Sequence, residues 1–460
     1  MTGTLAAVAA AGALAACAAT NAPAYPPPAP PMAPPHPGRY IQRTMSLLAA
    51  STPAHRNTVR ILFYGQSITR QEWWLDVVAG LRQRFPHADI VAENLAIGGF
   101  ASQKLVKTTP RDIRVFYPDL VVFHVYGAHD KYEEIIAFIR RNTTAEIAMQ
   151  TDHFGAKADP SRPDEGWDAF MNGEVLPRVA RTYGCELIDV RAGWRRHLLD
   201  NKLEPQALLS DGVHLNERGC ELMARLVSSG LVCRAAAPGG EAEGPVRTFS
   251  GDSLSFTNGV MKLAFAGNRV TAIAAPHAGK AGSARVLIDG NPPSAFPALY
   301  AFTRANAGPG VDWPWSVSAP VVISSRTKPV EEDWVITVVT GDAACFTFDV
   351  RGSKTGPDGA GVSTQDFVST SGRIAIAAED WWLETGKGRP SPIAPGYELR
   401  FASILLGTDV YVPPAVTDTA HEIETVLASG LDNGPHTLEL VAESGGSVPL
   451  KAIRVYSPPK

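Results

Sequence analysis

Residues 59–232 alternate short apolar runs with segments of helical spacing, and this alternation restricts the fold more than any other feature of the sequence. Apolar runs at 59–65, 89–97, 119–126, 145–151 and 186–190 predict strands, and apolar periodicity at 71–85, 131–142, 166–183 and 217–230 predicts helices. Strands that alternate with helices predict an α/β domain, a doubly wound and mainly parallel sheet with helices on both faces. The carboxyl ends of such strands meet in one crevice, where ligands bind.

Polar residues and glycines follow each predicted strand and are therefore the candidate site residues. The first strand stops at Gly65-Gln66-Ser67, directly before a helix. A serine held at that corner can attack a carbonyl while free N–H groups at the start of the helix stabilise the resulting oxyanion. The later strand ends and the last loop contribute Gly98-Gly99, Gly127 to Asp130, Asp152-His153 and Asp211 to His214.

The blocks GQSIT, NLAIGG, GAHD and DGVHLN resemble those of the SGNH (GDSL-type) hydrolases, over residues 59–232. The resemblance implies a flavodoxin-like doubly wound sheet and a Ser-His-Asp triad that needs no cofactor and no metal. Ser67 would be the nucleophile, His214 the base that takes its proton, and Asp211 the residue that orients the imidazole. The oxyanion hole would be formed by the backbone N–H groups of Ser67 and Gly99 and by the side chain of His129.

Two positions depart from the family pattern. Gln66 stands where the family has an aspartate, and His129 stands where it has the asparagine of the oxyanion hole. An imidazole N–H can donate to an oxyanion, so His129 would form either a variant oxyanion hole or a damaged one. The alternative is that His129 caps the helix predicted near Lys131. Asp152 and His153 are candidate substrate-binding residues, with loop structure as the alternative.

A second serine stands in a string that spells the family name. Gly251-Asp252-Ser253-Leu254 follows the Asp211 and His214 block instead of preceding it, and no helical stretch comes after it. The residues that follow predict a β-hairpin around Asn258-Gly259. We therefore expect Ser253 to be a surface turn residue.

The first forty residues predict export and anchoring. Residues 1–17 are apolar, too short to span a bilayer with flanks, and end in Leu14-Ala15-Ala16-Cys17, which resembles a lipoprotein signal whose Cys17 becomes acylated. Residues 18–40 form a Pro-rich spacer. The sequence departs from a typical secretion signal because no Lys or Arg precedes Cys17. The alternative to a signal peptide is a disordered Ala-rich tail. We expect a periplasmic or cell-surface lipoprotein whose only membrane contact is this anchor.

Charge and cysteine spacing exclude some partners. A formal net charge of −4 argues against a nucleic-acid partner, which calls for a strongly basic face. The other cysteines lack the spacing of a zinc site, and they predict either free thiols or disulfides whose pairing the sequence does not choose. They are Cys185, Cys220, Cys233 and Cys345.

The composition changes after the first domain, which we place at residues 41–234. Residues 235–245 form a small-residue linker, and residues 246–460 show short alternating strands that predict an all-β, jelly-roll-like sandwich. Tryptophans near its loops predict either a sugar-binding platform or a structural domain that supports the first one. They are Trp313, Trp315, Trp334, Trp381 and Trp382.

Together these features predict an exported serine esterase that removes small acyl groups, with acetyl as the expected group, from a polysaccharide through an acyl-enzyme intermediate. A lipase or an acyltransferase of the same fold would need the same three residues. Outside enzymes, the alternatives are a glycan-binding lipoprotein whose oxyanion hole has decayed and an adhesin that uses mainly the sandwich.

Overall fold

The computed structural model describes residues 37–234 and 244–459, apart from 278, 309–312, 315–317, 384–392 and 444–446. The expected signal peptide, Cys17, nearly all of the Pro-rich spacer and Trp315 lie outside the described residues. Within them, no helix is both long and apolar enough to cross a membrane.

The first domain alternates strands and helices. Its strands are β1 (Thr58–Gly65), β2 (Asp89–Asn94), β3 (Leu120–His124), β4 (Glu146–Gln150) and β5 (Glu186–Ile188). Its helices are α1 (Gln42–Ala49), α2 (Ser67–Arg70), α3 (Trp73–Arg84), α4 (Ser102–Phe116), α5 (His129–Asn142), α6 (Gly166–Phe170), α7 (Leu176–Tyr183), α8 (Val190–Asp200) and α9 (Glu217–Gly230), with a π-helical segment at Met171–Val175 and a 3₁₀ turn at Pro205–Leu208.

The five strands form one parallel sheet in the order β2-β1-β3-β4-β5, which is the flavodoxin-like order. Every residue of β3 is buried, because helices cover both faces of the sheet. Val121 and Phe123 pack in the cluster that includes α4, α5 and α7, while Leu120 and Val122 pack in the cluster that includes α1, α3, α8 and α9. The predicted doubly wound parallel sheet is confirmed.

Helix α4 was not expected from the sequence, because Pro110 lies inside it and proline removes a helical N–H and disfavours a helical residue before it. The helix nevertheless forms and buries Leu105, Ile113 and Phe116 against the sheet. Burial of this apolar face outweighs the local cost of the proline. Helices α1 and α8 are also additions to the predicted elements.

The second domain is all-β. Its strands are β6 (Val246–Ser250), β7 (Val260–Ala274), β8 (Ala284–Ile288), β9 (Tyr300–Phe302), β10 (Ala319–Pro320), β11 (Glu332–Gly341), β12 (Phe346–Gly352), β13 (Gly356–Val362), β14 (Phe367–Val368), β15 (Ala375–Ile376), β16 (Trp381–Trp382), β17 (Glu398–Leu405), β18 (Val410–Tyr411), β19 (Glu424–Ala442) and β20 (Leu450–Tyr456). Short 3₁₀ turns occur at Gly251–Leu254, Pro293–Ala295, Pro297–Leu299 and Ala378–Asp380.

Two antiparallel sheets dominate this domain, in the orders β13-β12-β11-β17-β9 and β18-β8-β19-β7-β20-β6. Strands β7 and β19 are longer than predicted, because each joins two runs that the sequence separates at a glycine or an asparagine. The shifts in register between Val426 and Ala428 and between Ser429 and Gly434 show how β19 remains paired through its glycines. The prediction of an all-β second domain is confirmed.

Several contacts between the two domains involve α4 and the turn before it. Lys107 forms ion pairs with Glu379 at 3.1 Å and with Asp380 at 2.8 Å. Arg304 pairs with the buried Asp112 at 3.1 Å. The second domain is therefore packed directly against the element that follows Gly99.

The tryptophans of the second domain that the structure describes are mostly buried, which is the position expected of structural rings and not of a sugar-binding platform. Trp313, Trp334 and Trp381 are each less than a tenth exposed. The rings of Trp313 and Trp382 lie 6.4 and 5.1 Å from that of Phe100 in the first domain. Cys185, Cys220, Cys233 and Cys345 are free thiols.

Candidate active site

Ser67 lies where β1 turns into α2, as the first residue of that helix. Gly65 precedes the turn with a φ of +155°, and a Cβ at this position would lie 1.9 Å from the carbonyl oxygen of His124 on the neighbouring strand β3. Only glycine allows the two strands to approach so closely here. The turn therefore carries Ser67 to the carboxyl edge of the sheet.

The structure brings Ser67, His214 and Asp211 together. The Oγ atom of Ser67 lies 2.9 Å from Nε2 of His214, and Nδ1 of His214 lies 2.7 Å from Oδ2 of Asp211. With Nδ1–H donating to the carboxylate, Nε2 is the acceptor for the serine hydroxyl, which is the arrangement that general-base activation of a serine requires.

Asp211 is fixed by the backbone of its own loop. Its Oδ1 atom accepts hydrogen bonds from the N–H groups of Val213 and His214, both at 2.7 Å. These two donors, followed by the His214 side chain, hold the pKa of Asp211 well below its usual value. The carboxylate is therefore ionised at neutral pH.

The loop that carries Asp211 and His214 is anchored directly after His214. Gln71 accepts from the N–H of Leu215 at 3.0 Å and donates to its carbonyl at 2.8 Å, although the two residues are 144 positions apart in sequence. Asn216 then caps α9, and its side chain accepts from the N–H of Gly219 at 3.0 Å. The two residues that follow the base are thus held in place.

The predicted backbone donors of the oxyanion hole lie at the same edge. The N–H of Ser67 belongs to the first turn of α2, where backbone donors lack partners within the helix. Gly99 is exposed and has a φ of +69°, and it lies within a turn that is closed by a hydrogen bond from the N–H of Phe100 to the carbonyl of Ile97 at 3.1 Å. Gly99 remains a prediction as the second donor.

His129 is the first residue of α5, so the helix begins two residues earlier than predicted, and its cap is Ala128. The exposed imidazole lies beside two aromatic rings, with centroid distances of 6.2 Å to Trp167 and 5.3 Å to Phe170. Among the described residues, no hydrogen bond joins its side chain to Ser67 or Gly99. Its assignment to the oxyanion hole stays a prediction.

Asp152 and His153 are buried beneath the site and bind protein groups. Asp152 accepts from Nε2 of His124 at 3.0 Å, and the amide of Asn172 bonds both its N–H and its carboxylate. His153 places Nε2 at 2.8 Å from the carbonyl of Val213. Of the two roles considered for this pair, these contacts favour loop structure over direct substrate contact.

Several of these supporting residues were missed by the sequence reasoning. Gln71, Tyr126 and Asn172 act through contacts with residues far away in sequence, and no short motif marks them. Burial raises the pKa of the Tyr126 hydroxyl, which lies 3.2 Å from Nδ1 of His153. In the part of the chain that the structure describes, no group of three or more His, Cys, Asp or Glu side chains is able to hold a metal ion.

Comparisons with known proteins give similarity only at the level of solved structures, because no family model and no curated protein matches the chain. A two-domain esterase (CEX) active on acetylated mannans is 13% identical, covers 92% of this chain and 96% of its own, and has a TM-score of 0.36. The acetyl xylan esterase AlAXEase is 22% identical over 38% of this chain and 100% of its own, with a TM-score of 0.33. Axe2, an acetylxylan esterase from Geobacillus stearothermophilus, is 19% identical over 40% of this chain and 100% of its own, with a TM-score of 0.34.

At such low identities and scores, these structures do not assign an activity or a substrate to this chain. The strand order and the placement of the four sequence blocks at one edge of the sheet are observed directly. The first domain is a flavodoxin-like parallel sheet in which Ser67, His214 and Asp211 are in contact. An α/β domain followed by an all-β domain is the arrangement that the sequence predicted.

Proposed function

We propose that the protein is a serine esterase that removes acetyl groups from a polysaccharide. The observation that carries this proposal is the pair of contacts from His214, at 2.9 Å to Oγ of Ser67 and at 2.7 Å to Oδ2 of Asp211. A serine paired in this way with a base, which is in turn oriented by a carboxylate, is an activated nucleophile.

In the proposed reaction, Ser67 Oγ attacks the ester carbonyl while its proton passes to Nε2 of His214. The N–H groups of Ser67 and Gly99 stabilise the oxyanion, and ionised Asp211 stabilises the imidazolium. The tetrahedral intermediate collapses when His214 returns the proton to the leaving sugar hydroxyl, which leaves acetyl-Ser67. Water, deprotonated by His214, then attacks this ester and releases acetate.

The exposure of the site supports a substrate carried on a large polymer. The side chains of His214 and Asp211 are 38% and 55% exposed. An ester on a polysaccharide can therefore reach the triad without the rest of the chain entering the protein. The choice of acetyl follows the expectation from sequence, and the lipase and acyltransferase alternatives differ from it in the acyl group and in the acceptor.

The test compares acetate release from acetylated xylan with hydrolysis of p-nitrophenyl acetate. We expect wild type to act on both and Ser67→Ala to lose both. Ser253→Ala is the matched control, because Ser253 stands in the string GDSL but is an exposed turn residue whose hydroxyl donates to the Ser250 carbonyl at 2.9 Å. Activity retained in Ser67→Ala, or lost in Ser253→Ala, would contradict the assignment.

We also propose that the protein is exported and anchored through an acylated Cys17, as the sequence of residues 1–17 suggests. Metabolic labelling with palmitate should mark wild type and not Cys17→Ala. The Cys17→Ala protein should also leave the membrane fraction. Equal labelling or equal fractionation of the two forms would contradict the anchor.

A further inference from the structure

Trp167 is 51% exposed. The other large hydrophobic residues that face solvent in the described part of the chain are leucines and valines, so Trp167 is the aromatic member of this group. It does not stand alone. Its centroid lies 5.7 Å from that of Phe170 and 6.2 Å from that of His129. The three rings form one aromatic cluster, which we call the Trp167 cluster.

This cluster lies at the edge of the sheet that carries the nucleophile. His129 follows β3 and Ser67 follows β1, and these two strands pair directly, with Gly65 opposite His124. Residues that follow neighbouring parallel strands emerge at the same edge. The Trp167 cluster and Ser67 therefore lie at the same edge of the sheet.

The helix that carries Trp167 is firmly held. Asp168, its neighbour, accepts from Arg191 at 2.8 Å. Asn172, in the π-helical segment that follows, bonds Asp152 in both directions at 2.7 and 3.2 Å. The helix continues through the π-helical segment Met171–Val175, a geometry that occurs frequently at functional sites. A ring fixed in this way loses little conformational freedom when a ligand stacks on it.

The chemistry of the cluster indicates what it binds. The face of an indole is electron-rich, and it attracts the C–H groups that line the face of a pyranose ring, whereas the hydroxyls of the sugar stay in water at its rim. The two faces are also flat and of similar size. A half-exposed indole beside an esterase site therefore fits a sugar ring better than it fits an acyl chain, which would be buried in an enclosed apolar pocket.

We propose that the Trp167 cluster is a sugar-binding subsite that holds a pyranose unit of the polysaccharide next to Ser67. This inference rests on the proposed function, because it names the part of the substrate that the triad does not contact. The proposal also gives His129 a role in this subsite, because its imidazole lies beside the indole of Trp167.

The test measures binding without turnover, in the Ser67→Ala protein, with acetylated xylo-oligosaccharide as the probe and calorimetry as the readout. Adding Trp167→Ala should raise Kd by about tenfold, and adding Trp167→Phe, which keeps a ring, should raise it by about threefold or less. Leu199→Ala is the matched control, because Leu199 is an exposed apolar residue on α8, 47% exposed, and it should leave Kd unchanged. Circular dichroism verifies that each variant is folded.

The outcomes separate this inference from the proposed activity. Equal Kd values for the Trp167→Ala protein and its parent would overturn the subsite, as would absence of oligosaccharide binding by the parent. A Trp167-dependent Kd in a protein whose wild type releases no acetate would support the subsite and refute the esterase. Acetate release by wild type without Trp167-dependent binding would support the esterase and refute the subsite.

Discussion

Nε2 of His153 lies 2.8 Å from the carbonyl oxygen of Val213, one residue before the proposed base His214. A carbonyl only accepts, so Nε2 carries the proton. Burial, with the nearby His124, lowers the pKa of His153 to about 4, so the ring is neutral at ordinary pH. Its Nδ1 then accepts from the hydroxyl of Tyr126 at 3.2 Å. His153 thus acts as a positioning residue for the loop of His214.

We first predict that His153→Phe lowers kcat about tenfold while KM for p-nitrophenyl acetate changes little, because the carbonyl of half-buried Val213 loses its donor, at a cost of about 1–3 kcal/mol, and the loop shifts to satisfy it. His153→Gln, whose amide can donate from a similar position, should recover most of kcat. His197→Phe removes another buried imidazole, from α8, and should change stability without changing kcat. Equal kcat values in His153→Phe and wild type would refute the positioning role.

The same imidazole predicts a pH dependence of stability. The folded-state pKa of His153, about 4, is below its ordinary value of 6.5, so below pH 6.5 the unfolded chain binds a proton that the folded chain does not. The contribution of His153 to the free energy of unfolding should therefore be fully present above pH 6.5. It should fall as the pH drops from 6.5 to 4, by up to about 1.4 kcal/mol per pH unit.

Urea titrations at a series of pH values measure this slope. Carboxylates contribute below about pH 5, so the comparison with His153→Gln is needed to isolate the imidazole. The variant should be flatter than wild type between pH 6.5 and 5. Parallel curves over that interval would show that His153 is not held neutral by the fold.

Gly127 gives a third prediction, because the backbone there has a φ of +126° and passes close to α4. A Cβ at this position would lie 2.3 Å from Oε1 of Gln103 and 2.7 Å from Oγ of Ser102. We expect Gly127→Ala to lower the free energy of unfolding by about 1–3 kcal/mol and to lower kcat, since the chain from Gly127 to His129 borders the site.

Gly80 on α3 is the matched control for this substitution, because a Cβ there meets nothing within 4 Å. Gly80→Ala lies inside a helix and should raise the free energy of unfolding by about 0.5–1 kcal/mol with no effect on kcat. Thermal denaturation and p-nitrophenyl acetate kinetics measure both quantities. A Gly127→Ala protein as stable and as active as wild type would contradict the close approach.

The parallel sheet and the candidate triad could be predicted from the sequence because residues close together in the chain mark them. Ser67 is marked by a strand, a turn and a helix in succession, and Asp211 and His214 stand three positions apart before the start of α9. These are short-range patterns. The chain order of the strands then fixes the common edge at which the residues meet.

The supporting residues could not be predicted in this way. Gln71 reaches Leu215 only after the whole first domain has folded, and nothing in the neighbourhood of either residue marks the contact. The exposure of Trp167 is likewise a property of the folded surface, and its sequence neighbours suit a buried helix equally well. Helix α4 was hidden by Pro110, whose local cost is outweighed by tertiary burial.

The contact between domains gives the last prediction. Phe100 follows Gly99, is 1% exposed, and packs against Trp382 of the second domain. The ammonium group of Lys104 lies 4.1 Å from the centroid of the Trp382 ring. Phe100→Ala should lower the free energy of unfolding by about 3–5 kcal/mol and also lower kcat, because the turn that presents the Gly99 N–H loses its support.

Phe265→Ala separates these two effects. Phe265 is a buried ring of similar size in the core of the second domain, away from the turn. Its loss should destabilise the protein by a similar amount and leave kcat unchanged at temperatures where both variants remain folded. Phe100→Leu, which keeps an apolar side chain, should recover part of kcat. If Phe100→Ala and Phe265→Ala show the same kcat under those conditions, the second domain supports the fold of the first one without positioning Gly99.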